Sequence, residues 1–384
     1  MTQFNWLCVD DERTKAVDNY ILALGESVKG LSILRFEPKE IGDLIKELEK
    51  AQPDGIILDF RLDEQPNQKG ETVSFRGITL AQELRMRMSE GSFPDIPLVM
   101  WSVDKKLQSF NASNTAHDLF DQVYQKDVEI ANNYKDVAHT MVSLSVGYRK
   151  LADSRKVFTD IMKHIWNSLG LTVDEGEKLD SRIFDDVALR SFLPNYELAY
   201  FIRHVLLERP GPLINEALLA ARLGVSQNSP SWPTLKEIVG RSSSYTGVFA
   251  EAWPRWWMHR VEKWWRDEVS EQATLRRLNS SQRIELIAQK LKLSELRPIE
   301  PIEEHYGRKF WTICNVYNNP LDPMDGIKIL TPDFKVWQDV GYMSCRGAIN
   351  RFDWPPGVRP HPLESSRIRA LMEKRNTDGE AGES

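Results

Sequence analysis

Five short apolar runs, each separated from the next by an amphipathic stretch, constrain the first third of this chain more than any other feature. Phe4 to Val9 runs into Asp10 and Asp11, and Leu31 to Phe36 forms a second run. Ile56 to Leu58 runs into Asp59, Ile96 to Trp101 into Ser102, and Phe120 to Gln125 into Lys126. Helical periodicity fills the gaps at 13–26, 39–51 and 78–89, and more weakly at 104–119. Apolar runs of strand length alternating with helices predict an α/β fold built on a five-stranded, doubly wound parallel sheet.

The residues that close those runs carry the chemistry. In an open parallel sheet, ligands bind outside the carboxyl ends of the strands. There this sequence places Asp10, Asp11, Asp59, Ser102 and Lys126. Three carboxylates brought together repel unless a hard cation lies among them. Mg²⁺ takes oxygen ligands and keeps several waters, so two carboxylates and a carbonyl suffice to hold it. The third carboxylate is then free to act as a nucleophile toward phosphorus. A lysine would neutralise phosphoryl oxygens and a hydroxyl would bond one of them.

These residues, in the segments Val9-Asp10-Asp11, Ile57 to Leu62, Met100-Trp101-Ser102 and Gln125-Lys126, make residues 1–130 resemble the receiver domain of two-component response regulators. The resemblance implies a flavodoxin-like receiver fold. It implies that Asp10 and Asp11 bind Mg²⁺ together with Asp59 and a backbone carbonyl of Arg61. It further implies that Asp59 accepts the phosphoryl group, that Ser102 is the switch hydroxyl and that Lys126 contacts the phosphoryl oxygens. A sensor histidine kinase is the implied donor. The sequence departs from the family in places. Leu62-Asp63 stands where Met-Pro is usual, about a dozen extra residues fall in Glu64–Arg76, Val103 follows the switch hydroxyl, and Asp127 follows Lys126. The aromatic switch position falls on Val123. A domain that keeps the fold without the chemistry is the alternative.

After Lys126 the period changes. Ile130, Tyr134, Val137, Met141, Leu144, Tyr148, Leu151, Phe158, Met162 and Ile165 follow a heptad spacing interrupted only by Arg155. This predicts a connecting helix over 131–169, with Gly147 as a place where it can break. Two readings stay open for its seam: a homodimer through residues 130–165, with Met141 and Leu144 in the interface, or an intramolecular joint. Residues 170–376 read as a mainly helical output or interaction domain, with helices near 177–192, 195–208, 213–223, 234–240, 254–270, 280–292 and 364–375. Residues 377–384 are small and polar and are expected to be disordered.

Charge and composition narrow the output. Residues 1–150 carry a net charge of −6 and residues 151–384 a net charge of 0. The segment Leu218 to Arg241 resembles a helix-turn-helix, but Pro230 and Pro233 fall at its reading helix, and there is no basic bias. Both facts disfavour DNA. Trp253, Trp256, Trp257, Trp264 and Trp265 read either as core or as a partner surface. Cys8, Cys314 and Cys345 lack metal-site spacing and fit a reduced, cytoplasmic protein. No apolar run is long enough for a membrane span, and the N-terminus has acids where a secretion signal would be apolar. The reading is therefore a response-regulator-like phosphoacceptor acting on a downstream protein partner, with no catalysis expected beyond the receiver's self-phosphorylation and autodephosphorylation. Receivers with such partner regions look like phosphorelay components, including those of two-component-like anti-phage systems. The alternatives are a DNA-binding transcriptional response regulator and a receiver-controlled effector enzyme.

Overall fold

The computed structural model describes residues 2–103, 117–157, 160–302 and 305–380. The chain folds into two compact units, residues 1–205 with 246–253, and residues 206–245 with 254–384. The expected join between connecting helix and output domain, at 169/170, is thus not where the units part. Residues 170–205 pack with the first unit.

In that unit the strands β1 (Phe4–Val9), β2 (Leu31–Phe36), β3 (Gly55–Asp59), β4 (Leu98–Ser102) and β5 (Gln122–Gln125) form one sheet in the order β2-β1-β3-β4-β5. Every pairing is parallel. The expected helices are α1 (Lys15–Ser27), α2 (Ile41–Lys50) and α3 (Gly77–Ser89). Of the weak helix at 104–119, residues 104–116 lie outside the described part, and His117–Leu119 is a short 3-10 turn. One sheet face buries Leu7, Val9, Ile56 and Leu58 against Leu44 and Leu48 of α2 and Leu80 and Leu84 of α3.

The other face is covered by α1 and by α4 (Tyr134–Val157), which pack together. The Trp6 indole donates to Ser145 Oγ at 2.9 Å. Arg149 pairs with Asp54 and lies 4.8 Å from the Phe4 ring centroid. The helix after β5 therefore completes the sheet and is not a connector. It ends at Val157, and a second helix, α5 (Ile161–Ser168), follows; Phe158 lies outside the described residues. Of the heptad positions, Val137, Met141, Leu144, Tyr148, Leu151 and Ile165 are buried inside a single chain. Met141 and Leu144 are 1% and 0% exposed, so they are not available to a second copy. The seam is an intramolecular joint.

Asp121, at the start of β5, ties the rest of this unit to the sheet. It accepts from Arg85 at 2.8 Å, from the Leu98 N–H at 2.9 Å and from the Tyr148 hydroxyl at 2.9 Å, and Arg203 lies 3.4 Å away. Arg203 is fully buried, with its guanidinium 4.7 Å from the Trp253 ring centroid.

The second unit is mainly helical, with helices at Glu216–Leu223, Trp232–Ser243, Met258–Trp264, Ser280–Leu291, Cys345–Ile349 and Ser365–Glu380. Trp232, Trp256, Trp264, Trp265 and Trp311 share a core with Leu218, Leu235 and Ile287, so the tryptophan cluster is core and not a partner surface. Three expectations shift. Leu213–Ile214 and Trp256–Trp257 pair as short antiparallel strands where helix was expected. The helix-turn-helix-like segment starts its second helix at Trp232, so Pro230 precedes it and Pro233 falls in its first turn, where proline is tolerated. The last helix runs to Glu380, through residues 377–380 that were expected to be disordered. Among the described residues, no helix is long and apolar enough to cross a membrane.

Candidate functional site

Register brings the strand-end residues together. Val9 pairs with Leu58, and Asp59 pairs with Trp101, so Asp10 stands level with Asp59 on the neighbouring strand. Ser102 pairs with Gln125, which sets Lys126 one residue beyond it. Gly77 opens α3 directly against this end of the sheet. A Cβ there would lie 2.1 Å from the Asp59 carbonyl oxygen, so only glycine lets the helix start so close to β3.

Asp10, Asp11, Asp59, Ser102 and Lys126 are all buried. One carboxylate oxygen from each aspartate lies within 4.8 Å of the others. Lys126 Nζ is 2.7 Å from Asp10 Oδ2 and 2.7 Å from Asp59 Oδ1. The Trp101 indole donates to Asp10 Oδ2 at 2.8 Å, and Asp10 Oδ1 accepts the Glu12 N–H at 2.8 Å. Asp59 Oδ2 accepts the Arg61 N–H at 2.8 Å, while the Arg61 guanidinium turns to Asp63 at 2.6 Å. Ser102 Oγ is buried and has no hydrogen-bond partner among the described residues. A cavity of about 230 Å³, lined by Asp11, Asp59, Ser102, Val103 and Lys126 among others, reaches this group.

Burial dominates the electrostatics. It pushes the Asp59 carboxyl up to about 7, against the pull of Lys126. Burial also raises Asp11, against the amides of Gln65 and Glu64. Lys126, which burial alone would lower, is held above its ordinary value by Asp59 and Asp10. Three carboxylates against one ammonium leave a deficit of positive charge in a site shielded from water. The donors are hard oxygens within reach of one another, next to a cavity. That set fits Mg²⁺ and does not suit a softer metal.

Two contributors were not read from the sequence. The Trp101 indole holds Asp10, and the Glu64–Gln65 peptide holds Asp11. Trp101 sits in the same strand-end motif as Ser102, which was its only signal. Backbone donors carry no side-chain signal at all.

A parallel sheet in the order 2-1-3-4-5 with helices on both faces is the flavodoxin-like fold. The described residues 4–103 and 117–157 have that fold. Solved structures are similar to part of the chain. They include a CheY-like response regulator receiver domain from Methylobacillus flagellatus, at 19% identity, covering 34% of this chain and 92% of that one, with a TM-score of 0.25. The phosphorylated cyanobacterial phytochrome response regulator RcpA matches at 18% identity, covering 37% and 96%, with a TM-score of 0.28. NtrX from Brucella abortus matches at 17% identity, covering 43% and 33%, with a TM-score of 0.30. No protein-family model and no curated protein sequence matches the chain.

Proposed function

We propose that this protein is a response-regulator-like signalling protein that takes a phosphoryl group onto Asp59 from a phosphohistidine on a sensor histidine kinase. One observation carries the reading: a nucleophilic carboxylate, two further carboxylates, a lysine and an unpartnered buried hydroxyl line or adjoin a single cavity at the carboxyl ends of the sheet. In this reading Asp10, Asp11, Asp59 and the Arg61 carbonyl hold Mg²⁺, which when bound supplies Lewis-acid stabilisation of the phosphoryl oxygens. An Asp59 oxygen attacks phosphorus. The new P–O bond forms as the P–N bond breaks, and the electron pair leaves with the imidazole. Lys126 exchanges its carboxylate partners for a phosphoryl oxygen. Ser102 donates its free hydroxyl to another, a bond it makes only once the group has arrived. The second unit then acts on a protein partner. Its residues 206–245 and 254–384 hold 25 Lys+Arg against 22 Asp+Glu, a net +3 that is too small a basic excess to favour nucleic acid over a protein target.

Acetyl phosphate with Mg²⁺ is the test. The purified chain should gain one phosphoryl group by intact mass, and Asp59→Asn should gain none. A wild type that stays unmodified, or a variant still modified, rejects the reading.

A further inference from the structure

The extra residues between β3 and α3 begin at the acidic cavity. The Glu64 and Gln65 N–H groups both donate to Asp11 Oδ2, each at 2.8 Å. Asp11 Oδ1 takes no hydrogen bond among the described residues. Both loop residues also line the cavity beside Asp11 and Asp59.

The loop is held in place from outside the cavity. Gln65 Oε1 accepts the Arg13 N–H at 3.3 Å, and the Gln68 N–H donates to Glu37 Oε2 at 3.0 Å. Asp63 binds Arg61 and lies 3.8 Å from Arg76 at the start of α3. Asn67 closes an internal turn onto Glu71. The position of the Glu64–Gln65 peptide is therefore fixed by contacts on three sides, and it fixes Asp11 in turn.

The chemistry of the donors matters. A lysine or arginine on Asp11 would orient it and also cancel its charge. Two backbone amides orient it and leave the charge intact for a cation. They occupy one carboxylate oxygen and leave the other free. Groups that orient a metal ligand in this way are commonly worth one to two orders of magnitude in metal affinity.

We propose that the Glu64–Gln65 peptide is a positioning element for Asp11, holding that carboxylate with one oxygen free to ligate a divalent cation. The inference rests on the reading of Asp10, Asp11 and Asp59 as a Mg²⁺ site.

Mg²⁺ titration calorimetry of the full chain tests it. Gln65→Pro removes one donor without changing charge, and Gln65→Ala keeps the donor. Gln65→Pro should weaken Mg²⁺ binding by about 10- to 100-fold, and Gln65→Ala by no more than about twofold. A folded Gln65→Pro that binds Mg²⁺ like the wild type overturns the positioning role. A wild type that binds no Mg²⁺ overturns the metal site itself, and the positioning role with it. Amide exchange needs no loop variant and stands if Gln65→Pro fails to fold. The Glu64 and Gln65 amides should be protected in the wild type and exchange faster in Asp11→Ala. Exchange that is indifferent to Asp11→Ala overturns the proposal.

Discussion

Gly147 lies inside α4, where a glycine costs about 1 kcal/mol relative to alanine. On propensity alone, Gly147→Ala should stabilise the protein. The packing argues the reverse. A Cβ at this position would lie 2.1 Å from Cε1 and 2.3 Å from Cδ1 of Phe249. Carbon pairs settle at about 3.5–4.0 Å, so ring or helix must give by about 1.4 Å. The ring has little room to give. It is fully buried, between Tyr148 at 6.4 Å and Trp253 at 6.2 Å between centroids. Overpacking of this kind costs about 1–3 kcal/mol, and the rigid neighbours place Gly147→Ala toward the upper end. After the propensity gain, the net loss is about 1–2 kcal/mol, or about 2–8 °C in Tm for a unit of this size. Thermal and urea unfolding of the full chain should show it. A double-mutant cycle isolates the cause, because Gly147→Ala should become neutral or stabilising once Phe249→Ala has removed the ring. A higher Tm for Gly147→Ala alone would refute the packing of residues 246–253 on α4.

Three further outcomes follow from the same unit. Asp121→Ala leaves Arg85 and Arg203 without their shared buried carboxylate, and should cost about 3–5 kcal/mol in urea unfolding. Met141→Glu should lower stability by burying an unpaired charge, with no change of oligomeric state by light scattering. Burial and nearby Arg155 hold His164 below its ordinary value of 6.5, so the unfolded chain binds the proton first as pH falls. The His164 contribution to stability should be flat above that pH and decline below it toward the lowered value, so the difference in stability between wild type and His164→Gln should change over that window, on top of the opposite contribution of Asp59.

The sheet was legible because β1, β3 and β4 are buried on both faces and so read as apolar runs, each cut off by a polar residue where the strand ends. The same boundary exposed Asp10, Asp11, Asp59, Ser102 and Lys126 as a group. The seam of α4 was legible as a pattern, but its partner was not. A heptad records that a face is covered, and Met141 and Leu144 would look the same buried inside one chain as under a second copy. The division at Val205 and the return of residues 246–253 to the first unit depend on contacts such as Arg203 with Asp121, far apart in the chain. The Trp256–Trp257 strand escaped because two residues are too few to show a period. The loop's hold on Asp11 escaped because backbone amides are the same at every position.

The most direct measurement localises the phosphoryl group. After reaction with acetyl phosphate and Mg²⁺, borohydride reduction converts an aspartyl phosphate to homoserine, which peptide mass spectrometry reads by position. The account predicts homoserine at residue 59 and at no other aspartate, with the signal lost when EDTA replaces Mg²⁺. Homoserine at another aspartate, or none at residue 59 in a folded protein with Mg²⁺ bound, would contradict it.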